Sequence, residues 1–101
     1  MYTDIIHYEL NKELDQEALL EICTEVHEKW MKDLDGFVSW EINHSNENHF
    51  VDLVVWESRE HMTASHKKMK MMQSKLRNDW QGCYVPGSIK SKNVSQIKQF
   101  N

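Results

Sequence analysis

The chain has 101 residues, a size that suits one domain with a single modest core and leaves no room for a second. Twelve Lys and Arg against sixteen Asp and Glu give a formal charge of -4, which argues against a dedicated nucleic-acid or membrane-surface binder, since those carry a basic excess. No apolar run approaches the ~20 residues of a membrane span, and the opening MYTDIIHYEL lacks the basic and apolar regions of a signal peptide, so a cytoplasmic protein is expected.

Tyr2 to Leu10 alternates, with Ile6, Tyr8 and Leu10 on one side and Ile5, His7 and Glu9 on the other, which predicts a first strand. A helix then starts at Asp15, whose carboxylate suits an N-cap, with Leu14 and Leu19 spaced as a hydrophobic staple. Leu19, Ile22, Val26, Trp30 and Leu34 recur at helical intervals, and Gly36 is expected to end the helix as a left-handed C-cap. Strand two is predicted over Phe37 to Asn43 and strand three over His49 to Trp56, paired as an antiparallel hairpin around an Asn- and Ser-rich loop. Setting Trp40 opposite Asp52 puts Val38, Trp40 and Ile42 on one face with Phe50, Asp52, Val54 and Trp56.

Ser58 is the expected N-cap of a second helix, with Glu60 in its first turn and Met62, Ser65, Met69, Met72, Leu76 and Trp80 as its buried stripe. Its length predicts a break near Met71 to Ser74, and Gly82 can close it. After a turn at Val85, Pro86 and Gly87, a polar final strand from Ser88 to Ile97 reads as a sheet edge. The order strand, helix, strand, strand, helix, strand is that of an α+β, ferredoxin-like βαββαβ domain, a four-stranded antiparallel sheet with both helices on one face. The bare second face, carrying strands as apolar as VDLVVW, predicts a twofold homodimer.

Cys23 and Cys83 are too few and too far apart for a disulfide framework or zinc knuckle and read as packing thiols. Among the six histidines, Cys23 and His27 have i, i+4 spacing, His61 and His66 diverge on their helix, and His44 and His49 flank the hairpin turn. None of these reaches the three or four ligands of a zinc or iron site, so no metal is expected. Lys67, Lys68, Lys70, Lys75 and Arg77 make the second helix basic and Glu17, Glu21, Glu25, Glu28 and Asp33 make the first acidic, which predicts attraction between two solvated helix faces. The strands lack the aromatic and basic pattern of a ferredoxin-like RNA binder.

Gly36 and Phe37 opening a strand, VDLVVWES over 51–58, and His66 ten residues after Trp56 together give a sequence that resembles the antibiotic-biosynthesis-monooxygenase-like superfamily of dimeric α+β barrels. The resemblance runs through most of the chain in element order. It implies a homodimer and one of three activities: cofactor-independent oxidation of a small aromatic such as a quinol or polyphenol, haem degradation, or none. The haem-degrading pattern is not matched, because His7, Ser65 and Lys75 stand about where that group carries asparagine, tryptophan and the ligand histidine.

A cofactor-free oxygenase needs a base, a dry apolar pocket and donors for the developing anion. His66 is the expected base and Asp52 its partner or a second base. Trp40 and Trp56 supply flat walls, and His7 and Met62 complete the expected substrate site. Against this stands the ordinary reading, in which the tryptophans and methionines fill a core and the same dimer is a non-enzymatic binding module.

Overall fold

The computed structural model describes residues 1–72 and 74–101. Strands β1 (Tyr2–Glu9), β2 (Phe37–Asn46), β3 (His49–Trp56) and β4 (Lys90–Ser95) form one antiparallel sheet in the order β2-β3-β1-β4. Helices α1 (Gln16–Lys29), α2 (Arg59–Met71) and α3 (Lys75–Gln81) supply the other layer. This is the expected ferredoxin-like order, with the second helix divided in two.

Local chemistry sets most boundaries. Asp15 caps α1 by accepting from the Ala18 amide at 2.8 Å, and Ser58 caps α2 by accepting from the His61 amide at 3.2 Å. Ser74 does the same for α3 through the Arg77 amide at 3.2 Å, so a fresh cap restarts the helix after α2 ends at Met71. The predicted break over 71–74 therefore occurs, although Gln73 lies outside the described residues.

The end of α1 and the role of Gly36 depart from expectation. Helix α1 stops at Lys29 instead of running to Gly36, because Trp30 leaves helical geometry at φ -143, ψ -60 and a short 3-10 turn follows at Met31–Asp33. That turn puts Met31 into the core and sets the Trp30 ring 6.2 Å from that of Trp80. Gly36 does adopt φ +79, but it opens β2 rather than ending a helix, and a Cβ there would lie 2.2 Å from His61 Cγ. Close approach and backbone conformation both demand glycine at this point.

Strand β2 is longer than predicted and closes on β3 through Glu47 and Asn48, with Glu47 at φ 44. The register pairs Trp40 with Val54 and Ile42 with Asp52, two residues away from the predicted alignment. A two-residue shift preserves the faces, so Trp40 and Ile42 still share one with Asp52 and Val54. Val38 does not join them: a bulge between Phe37 and Ser39 leaves it exposed and places Phe37 over Trp56, ring centroids 5.7 Å apart.

The core lies between the sheet and the helices, built from Tyr8, Leu10, Phe50, Val54 and Trp56 of the strand side and Leu19, Cys23, Val26, Met62 and Trp80 of the helices. Full burial of a side chain such as Leu19 contributes about 1.5–3 kcal/mol. Strand β4 is exposed throughout, as an edge strand should be, and none of the described helices is long and apolar enough to cross a membrane.

Candidate active site

Strand alternation delivers two carboxylates to the dry side of the sheet. Asp4 and Asp52 are each 3 % exposed, Asp4 on β1 opposite Val54 and Asp52 on β3 opposite Ile6. Both share the parity of Tyr8, whose position on β1 faces Phe50.

Asp52 is fully gripped. Tyr8 donates its hydroxyl to Oδ1 at 3.0 Å and Trp40 donates its indole N–H to Oδ2 at 3.0 Å. Burial pushes the carboxyl up from 3.8 to about 6, and the Trp40 and Tyr8 hydrogen bonds pull in the other direction without cancelling it. The result is a carboxyl whose acidity is weakened toward neutral pH inside an apolar layer. Its neighbours respond in kind. The Tyr8 phenol is raised well above its usual range, first by burial and then by the Asp52 charge, and Cys23 is raised for the same two reasons. Burial moves Cys83 up to about 11. Both cysteines are buried free thiols and pack as expected.

His66 does not meet Asp52. Its Nε2 lies 3.3 Å from Asp4 Oδ2, and the imidazole remains 44 % exposed while Asp4 is buried. The expected His66–Asp52 pair does not form: α2 packs across both β1 and β3, and His66 meets the carboxylate on β1. Asp4 Oδ1, by contrast, is buried with no hydrogen-bond partner among the described residues. The site is thus two acid centres on one sheet face: a closed Tyr8–Asp52–Trp40 clasp, and an Asp4–His66 dyad that reaches water.

The other expected residues separate. Trp56 and Met62 sit in the packed core at 2 % and 6 % exposure. His7 is on the opposite face of the sheet, as its parity against Tyr8 requires, and meets His49 there. Of the four expected substrate-site residues, Trp40 is the one that hydrogen-bonds Asp52, and it packs at 5.7 Å against Trp80, which adjoins Trp30. Asp4, Tyr8 and Trp80 were missed as site residues, although the alternation that placed Ile6, Tyr8 and Leu10 inward also places Asp4 there.

Two open clefts, of about 180 and 350 Å³, lie beside α2. The first is lined by Leu34, Asp35, His61 and Ser65 among others, the second by Arg59, Thr63 and Lys67, and neither is lined by Asp52, Trp40 or His66. His44 and His49 do not pair across the hairpin turn, since His44 Nε2 lies 2.7 Å from the Glu47 carbonyl. The lysine pairs Lys29–Glu25, Lys32–Glu28 and Lys75–Asp79 run at i, i+4 along the chain, not between the two helix faces.

No protein-family model matches this chain, and no curated protein matches it. Solved structures do. A candidate antibiotic biosynthesis monooxygenase from Nitrosomonas europaea superposes with a TM-score of 0.67 at 18 % identity, covering 97 % of this chain and 100 % of that one. The ActVA-Orf6 monooxygenase of Streptomyces coelicolor, solved with nanaomycin D, gives 0.69 at 15 % identity over 99 % and 90 % of the two chains. SnoaB, a cofactor-independent oxygenase of Streptomyces nogalater solved in a mutant form, gives 0.71 at 9 % identity over 97 % and 94 %. By this likeness the chain shares the ferredoxin-like α+β fold of these structures.

Proposed function

We propose that this protein is a cofactor-independent monooxygenase of a small aromatic substrate of the quinol or polyphenol type, acting as a homodimer. The observation that carries the proposal is the buried Asp52 carboxyl, held by Tyr8 and Trp40 and raised to about 6. The fold shared with the ActVA-Orf6 monooxygenase and with SnoaB supports it.

The chemistry asks the protein for little beyond proton handling and dryness. A phenolic substrate that loses a proton becomes an electron-rich anion, able to reduce dioxygen itself. Dioxygen bonds to a ring carbon that bears a hydrogen, the O–O bond breaks, one oxygen stays as the product carbonyl, and the other leaves as water with the phenolic and the ring hydrogen. His66, oriented by Asp4, takes the first proton at the solvent-reaching edge of the site. The Trp40 ring forms the flat wall, and Asp52 receives or returns the second proton, its near-neutral affinity letting it work in both directions.

The dimer rests on the other face of the sheet. Ile5, Val51, Leu53 and Val55 are only half-buried there, while the core cluster and helices occupy the inner face. A second copy covers such a strip in an isologous pairing.

A second reading is favoured by one observation: the two clefts beside α2 are lined by neither Asp52 nor Trp40. A non-enzymatic module would use such a cleft to bind a ligand and leave Asp52 as structure. Haem ligation by His66, the third reading, has to break the Asp4 contact first. Oxygen uptake with a panel of quinols separates the three. The proposal expects turnover that falls by roughly 10²–10⁴ in Asp52→Asn and His66→Gln. Absence of turnover, with ligand affinity unchanged in His66→Gln, supports the module, and a Soret shift on haem titration that vanishes in that variant supports haem binding.

A further inference from the structure

Away from the inner site, on the outer face of the sheet, His7 Nδ1 lies 3.3 Å from His49 Nε2, with ring centroids 5.5 Å apart and planes tilted by 43°. The ladder explains the meeting. His7 pairs with Val51 and Glu9 pairs with His49, so the two imidazoles are diagonal neighbours across β1 and β3 and point to the same side. Their backbones are fixed by central strands of the sheet, and His7 is exposed in the single chain.

That spacing has a second meaning. Two nitrogen ligands on a tetrahedral zinc ion, each about 2.0–2.1 Å from the metal, lie about 3.3–3.4 Å apart. We propose that His7 and His49 form a two-imidazole binding site for a borderline divalent cation, Zn²⁺, Ni²⁺ or Cu²⁺, on the outer face of the sheet. Imidazole nitrogen suits these ions and not Mg²⁺ or Ca²⁺, which take oxygen ligands.

The surroundings set its strength. Glu9, directly across from His49, is the carboxylate placed to add negative charge, and Lys90, directly across from His7 on β4, opposes the cation. Among the described residues no three His, Cys, Asp or Glu side chains come together as a full ligand set, so water, or a group of the second copy proposed to cover this face, completes the coordination. None of this depends on Asp52 being a catalytic base.

Titration calorimetry of the full chain with Zn²⁺ tests the site. The expected result is saturable binding of one ion per chain. His7→Gln and His49→Gln each weaken it by more than the roughly tenfold cost of losing an outer-shell partner. Lys90→Ala tightens it, His27→Gln leaves it unchanged, and Mg²⁺ gives no heat. In the NMR spectrum Zn²⁺ shifts the ring signals of His7 and His49 before those of the other histidines. Wild-type binding retained in both His7→Gln and His49→Gln, or no saturable Zn²⁺ binding at all, overturns the proposal in favour of a plain hydrogen bond between the rings.

Discussion

Strand β3 shows two environments one residue apart. Asp52, Val54 and Trp56 face the helices at 3, 5 and 2 % exposure, whereas Val51, Leu53 and Val55 face outward and stay half-buried. Aliphatic side chains populate both faces, so hydrophobicity alone does not tell them apart. The polar groups do. On the inner face burial raises a carboxyl toward neutrality and obliges Tyr8 and Trp40 to satisfy it. On the outer face two imidazoles meet while His7 remains open to solvent. A functional group in this chain takes its chemistry from the parity of its strand position.

The largest effect that would sharpen this contrast comes from paired truncations. Trp56→Ala should cost about 3–5 kcal/mol in urea unfolding, against about 1 kcal/mol for the neighbouring Val55→Ala measured on dilute chain. Equal costs would erase the distinction between faces.

The next largest is a pH effect. Because folding raises the Asp52 value from 3.8 to about 6, the native state holds the proton more tightly than the unfolded chain does. The Asp52 contribution to stability is therefore fully present below pH 3.8, is lost as pH rises through about 6, and is level above that, a loss on the order of 3 kcal/mol. Asp52→Asn lacks this component, so its stability relative to wild type should climb over the same interval. A difference that stays flat across the interval would mean Asp52 titrates like an exposed carboxyl.

Much of this was legible from residue types. Asp15 and Ser58 announced their helices, period-two alternation placed β1 and β3, and Trp40 and Ile42 were assigned the correct face although the register was wrong by two. Even that error had a local origin, since the Val38 bulge and the tight turn at Glu47 lengthen β2 without changing its parity. The early end of α1 was not legible: it depends on Trp30 finding Trp80, a residue far along the chain. The site was half legible. Parity alone places Asp4 inward and His7 outward. The choice of Asp4 over Asp52 as the partner of His66 depends on how α2 crosses the sheet, which no local pattern encodes.

Smaller effects probe the clasp itself. Tyr8→Phe leaves Asp52 Oδ1 without its donor and should cost about 1–3 kcal/mol at pH 7, less in acid where the carboxyl is neutral. A cost independent of pH would show that the hydroxyl does not serve the carboxylate. Smallest is Ser58→Ala, which removes the cap of α2 for about 1 kcal/mol in thermal unfolding and should leave the titration of Asp52 unmoved. Movement of that titration would mean the inner site is not insulated from the helix start.

The most direct test is a ¹³C NMR titration of the Asp52 side-chain carboxyl in wild type and in Trp40→Phe, which keeps a ring and deletes the N–H. The account predicts a midpoint near 6 in wild type and a higher one in the variant, because a donor to the charged form is gone. A wild-type midpoint in the ordinary range near ~4, unchanged by the substitution, would contradict it.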